Sequence, residues 1–159
     1  MANPQELSVK LVVDMWHTHI QRCNQLLEAL SDEQLLREIA PGKNRGIYLL
    51  GHLTAVHDRM ITLLGLGERL CPQLDGPFLS QPDRAAEDTA TVSELREYWN
   101  AVNTALAEGF TTLTPEAWFQ RHNAVSEEDF AKEPHRNKLN LLLNRSHHLA
   151  YHFGQIVLL

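Results

Sequence analysis

Nine histidines stand in a chain of 159 residues, and three of them have a spacing that points to shared chemistry. His148 and His152 are four residues apart. On a helix this separates them by about 40° and one turn, so both imidazoles can converge on one metal ion. His52 lies among Tyr48, Leu49, Val56, Met60 and Leu63 at helical spacing, so its ring is expected to face the apolar interior. A buried imidazole must be hydrogen-bonded or coordinated. Three imidazoles from two helices would leave a coordination position open to water or substrate, as a catalytic site requires and a closed structural site does not. Each spacing also has a plainer explanation. An inward histidine can be a satisfied core residue, and His-x3-His on an outer face is merely solvated. His147 offers a one-residue alternative to His148, although its roughly 140° offset from His152 disfavours a shared face.

Asn144, four residues before His148, and Gln155, three after His152, extend the same stripe beside Leu141, Leu149 and Ile156. The stripe is therefore expected to look inward. With Tyr151, and with Arg59 two turns beyond His52 as an anion contact, Asn144 and Gln155 are candidates to support the ligands or touch substrate. Helix-to-helix hydrogen bonding is the structural alternative for Asn144 and Gln155. His57, about 140° from His52, is expected at the rim or surface. His17 and His19 border the apolar face of the first helix, and His122 and His135 carry no pattern. Cys23 falls on an apolar face, and Cys71 falls in a flexible, proline-rich stretch without an evident base. Neither reads as a nucleophile.

The elements that must position these residues follow from apolar periodicity. Val9, Val12, Val13, Trp16, Ile20, Cys23, Leu27 and Leu30 predict a first helix over about 5–30. Ser31-Asp32-Glu33-Gln34 has capping-box form and predicts a short turn before Pro41-Gly42. A second long helix is predicted over about 45–66, ended by Gly65 and Gly67, which read as a cap and not a nucleotide loop. Residues 68–90, with three prolines and no sustained period, read as a connection and not a packed element. Their length permits the second and third helices to lie parallel. The third helix starts at the Thr91-Val92-Ser93-Glu94 box, and Thr114-Pro115-Glu116 opens a new turn. Ser126 can cap another short turn, and the last long helix runs from about 136 to the end. The expected fold is all-α: a four-helix bundle with a long crossover between helices two and three, as a single domain over 1–159.

Composition bounds the function. Fourteen Lys and Arg against twenty Asp and Glu give a net charge of −6, which disfavours nucleic acid and anionic membrane surfaces as partners. Two cysteines exclude a disulfide framework or a cysteine-rich zinc module. No run approaches the roughly 20 apolar residues of a membrane span, and the first residues lack the form of a secretory signal. A cytoplasmic protein acting on a small molecule is the expectation.

Gly51-His52-Leu53, His148-Leu149-Ala150-Tyr151-His152-Phe153-Gly154-Gln155 and the Leu-Ser-Asp-Glu-Gln-Leu run at 30–35 together resemble the DinB-like family of four-helix bundles. That resemblance implies a divalent metal, nickel or zinc, held by His52, His148 and His152. It further implies a homodimer and a place among thiol-dependent transferases, with a low-molecular-weight thiol as co-substrate. A metal-dependent hydrolase and a non-catalytic, stress-related binding protein are the alternatives. The His148/His152 stripe carries no carboxylate to serve as a hydrolytic base, and no catalytic residue is assigned.

Overall fold

The computed structural model describes residues 3–85 and 87–159. Its elements are α1 (Pro4–Ala29), α2 (Asp32–Leu35), α3 (Gly46–Leu64), α4 (Val92–Phe110), α5 (Pro115–Trp118), α6 (Glu127–Lys132) and α7 (Lys138–Ile156). No strand occurs among the described residues, and the long helices α1, α3, α4 and α7 start and stop within a few residues of the sequence expectation. Local chemistry sets their ends. Asn3 caps α1 by accepting from the Gln5 N–H at 3.0 Å, and Asn137 caps α7 by accepting from Asn140 at 2.9 Å. Ser31 with Gln34 and Thr91 with Glu94 form reciprocal capping boxes for α2 and α4. Gly65 ends α3 in the left-handed region at φ 75°, where a side chain would be strained.

Contacts give the chain directions. The His57 and Trp99 rings lie 5.1 Å apart and Leu66 packs on Gly109, so positions rise together along α3 and α4 and the two helices run the same way. Helix α7 runs against α3, because Lys138 approaches Gly65 while Leu159 covers Gly46. Helix α1 runs against α4, with Trp16 on Phe110 at 4.9 Å and Arg96 donating to the carbonyls of Leu27 and Leu30. The core between them holds Trp16, Trp99, Trp118, Leu50, Leu53 and Leu106.

Residues 68–90 differ from the sequence reading. Pro72–Leu74 form a 3₁₀ turn and Gly76–Ser80 a π-helical turn, and Cys71, Leu74 and Phe78 are buried against α3. Their spacing of three and four is helical, and Pro72 and Pro77 each stand in a first turn where no N–H is required. Ionic clamps fasten the segment at both ends. Asp58, fully buried, accepts from Leu70 N–H at 2.7 Å and from Arg69 Nε at 2.9 Å. At the other end Arg45 meets Asp83 and Asp88, each at 2.7 Å.

His57 is also placed differently. It has 0% exposure, because α3 is covered on nearly every side by α4, α7 and the two turns, so a large angular offset from His52 still leads into the protein. Its Nδ1 donates to Asn103 Oδ1 at 2.7 Å, and burial pushes its pKa down to about 4. From about pH 6.5 down to pH 4 the unfolded chain therefore takes up a proton at this ring that the folded chain refuses. Stability is full above this window and falls by up to about 3 kcal/mol as pH drops through it. The urea midpoint is expected to fall between pH 7 and pH 4.5, and to fall less in His57→Gln. An equal fall in both proteins would assign the loss to other groups.

Candidate metal centre

Helices α3 and α7 carry His52 and the His148/His152 pair to one point. His148 Nε2 lies 3.1 Å from His52 Nε2 and 3.1 Å from His152 Nε2. Nitrogens bound at about 2.0–2.1 Å to a tetrahedral ion stand about 3.3 Å apart, so these separations are close to the edge of a coordination polyhedron. The three rings form a half-buried group that can hold a metal ion, and among the described residues no carboxylate or thiol joins it.

Second partners fix two of the rings. His52 Nδ1 donates to the Phe78 carbonyl at 2.9 Å, and His152 Nδ1 donates to Gln155 Oε1 at 2.7 Å. Each ring is thereby left with an unprotonated Nε2 facing the centre. Tyr48 stacks beside His52 and donates its hydroxyl to the Gln81 carbonyl at 2.7 Å. The Phe78 carbonyl reaches His52 because Gly51 has no side chain: a Cβ there would meet the Phe78 ring at 2.4 Å. Burial, followed by the charges of His152, His52 and Arg145, pushes the His148 pKa down to about 3. Burial also lowers His152, against the opposing hydrogen bond from Gln155. Neutral imidazoles are the form that binds metal.

A helical frame, a histidine early in α3 and a histidine pair near the end of α7 are accompanied by a match of residues 15–156 to the DinB superfamily model. The chain belongs to the DinB superfamily. It is similar in fold to a conserved protein from Enterococcus faecalis, at 16% identity with a TM-score of 0.62 over 99% of this chain and 95% of that one. No curated protein matches it.

Within this DinB-superfamily frame the sequence-derived candidates separate. His147 is exposed, and the group of three converging rings does not include it. Gln155 is the hydrogen-bond partner of His152 Nδ1. Tyr151 is 65% exposed with its ring edge-on to His152 at 5.0 Å. Arg59 is half exposed and committed to Asp75 at 2.8 Å. Asn144 corrects the inward reading, since it is exposed. The buried face of α7 is Leu141, Leu142, Ser146, Leu149 and Ile156, so His148 and His152 border that face and Asn144 lies beyond them. Cys71 is buried and not in a flexible loop, and burial with the Asp58 charge pushes its thiol up to about 12. Burial alone does the same for Cys23. Sequence reasoning missed Asp58, Phe78, Asn103 and Arg145. Of these Arg145 left a readable trace, one turn before His148, and Phe78 left one in its helical spacing from Cys71 and Leu74. A groove of about 430 Å³ lined by Asp32, Leu36, Ile47, Val92 and Glu94 shares no residue with the triad.

Gly51→Ala tests how the rings are held. The added methyl must displace Phe78, at an expected cost of about 1–3 kcal/mol in chemical denaturation. It should also remove the Nδ1–H tautomer of His52 from the nitrogen NMR spectrum, and a spectrum identical to wild type would show that Phe78 does not hold the ring.

Proposed function

We propose that this protein is a metal-dependent enzyme, a low-molecular-weight-thiol S-transferase, in which His52, His148 and His152 hold one nickel or zinc ion. The observation that carries the reading is the convergence of three imidazoles, with His148 Nε2 3.1 Å from the Nε2 atoms of both His52 and His152 and the tautomers of His52 and His152 fixed from behind. Two lone pairs aimed at one point are unfavourable without a cation or proton between them. When bound, the ion supplies Lewis acidity that favours the thiolate of a thiol at the position the three rings leave open.

The chain's own residues define the rest. Phe78 and Gln155 hold the rings of His52 and His152 in register, and His148 is half-buried beside them. Tyr151 stands at the exposed edge, where it can contact the electrophilic small-molecule substrate. Both cysteines are buried with raised pKa values, which supports a thiol supplied from solution. Metal-assisted hydrolysis needs a base beside the ion, and no carboxylate joins the triad among the described residues. No helix among the described residues is long and apolar enough to cross a membrane, and a cytoplasmic location belongs to this proposal. So does a homodimer, for which the exposed row Leu7, Leu11 and Met15 on α1 offers an apolar face.

Elemental analysis of untagged, gently purified protein is expected to give about one metal per chain, in line with a three-imidazole site. The metal should be lost in His148→Ala/His152→Ala and kept in His147→Ala. Protein that arrives metal-free and refuses added nickel and zinc would leave a binding protein without a metal centre. The cobalt form should change its visible spectrum when a thiol enters the open position, and silence across a panel of cellular thiols would remove the transferase reading. Gln155→Leu, which frees His152 Nδ1, should weaken metal affinity about tenfold to hundredfold in a chelator competition.

A further inference from the structure

Arg145 is half-buried on α7, three residues before His148, which places it one turn and about 4.5 Å along the axis from that ligand position. Its Nε is sealed from solvent without a hydrogen-bond partner, and the guanidinium makes no ion pair among the described residues. Every other half-buried arginine is neutralised: Arg45 by Asp83, Arg69 by Asp58 and Asp75, Arg96 by Asp32, Arg121 by Glu127 and Arg136 by Glu133. Asp58 on α3 and Asp75 in the turns packed on it are already taken, and Glu68 makes no ion pair with Arg145 among the described residues. Asp75 receives Arg59 at 2.8 Å and Arg69 at 2.6 Å, and Asp58 is filled by Arg69 and two backbone N–H groups.

The position is electrostatically one-sided. The Arg145 charge reaches the rings of His148, His57 and His122, and burial together with the charge of Arg59 presses on Arg145 itself. An arginine does not escape by losing its proton, and a desolvated guanidinium without an anion is costly. The triad adds to the imbalance, because three neutral imidazoles leave the full charge of a divalent ion uncompensated. A thiolate alone offsets one unit of that charge. A second negative group one helical turn away would meet the planar fork of Arg145, whose geometry suits a carboxylate.

We propose that Arg145 is the anion-binding residue of the triad site, and that the thiol it selects carries a carboxylate. The sulfur would sit at the triad and the carboxylate on the guanidinium. This assignment rests on the metal-centre reading above and deepens it.

The test uses the full chain loaded with cobalt, with its visible spectrum followed as 3-mercaptopropionate or the neutral 3-mercaptopropanol is added. Wild type is expected to bind the carboxylate thiol at least about tenfold more tightly, as a charge-assisted bidentate contact allows. Arg145→Gln should bring the two thiols to within about twofold at unchanged cobalt content, and Arg145→Lys should keep part of the preference as a point charge without the fork. Equal binding of the two thiols by wild type, or a preference that survives in Arg145→Gln, would overturn the assignment while leaving the metal centre standing. Failure of wild type to take cobalt would instead remove the metal-centre reading, and this assignment with it. Metal-free Arg145→Met should melt no lower than wild type, because no protein partner is lost. A marked drop in melting temperature would make the guanidinium structural and overturn the proposal.

Discussion

A carboxylate with no access to solvent has to be satisfied on every oxygen, and Asp58 is such a group. Arg69 and the N–H groups of Leu70 and Cys71 close on it at 2.7–3.3 Å, which folds the chain leaving α3 back onto α3. Removing one partner of a buried ion pair typically costs about 3–5 kcal/mol, so this is a strong restraint on a segment that has little secondary structure of its own. Everything the segment does for the site depends on it. Leu74 and Phe78 dock on α3, the π-helical turn is set in place, and the Phe78 carbonyl arrives at His52.

Much of the frame was legible because it is local. Capping boxes at Ser31 and Thr91, the glycine stop at Gly65 and apolar steps of three and four along α1, α3, α4 and α7 each act within a few residues, and sequence shows such signals directly. In sequence the 68–90 segment reads as an unpacked connection because its restraints are not local. Arg45 meets Asp83 and Asp88 across 38 and 43 residues, and no periodicity records such a pairing. The prolines that argued against structure in fact stand where first turns tolerate them.

The site was legible for a related reason. His148 and His152 share one helix, so their convergence is a matter of pitch, and His52 was given away by its apolar neighbours. What pitch could not supply was the centre of the buried face. Placing it on the histidine stripe turned Asn144 inward, whereas the apolar residues of α7 lie to one side and the stripe forms their border. His57 was missed for the opposite reason: α3 is enclosed almost all round, so it has no true rim on which an imidazole could be parked. The supporting carbonyl of Phe78 has no side-chain signature at all.

The parallel course of α3 and α4 has an electrical side. Their N-termini lie at the same end of the bundle, and the short α2 packs against both, so three partial positive poles sit together instead of cancelling. The carboxylates at that end answer them one by one: Asp32 in the first turn of α2, Asp83 on the Arg45 N–H at 2.8 Å and Glu94 on the Thr91 N–H at 2.8 Å. The acidic groove there is thus a consequence of chain direction. A cationic molecule entering it would compete with the macrodipoles of the helices that form its walls.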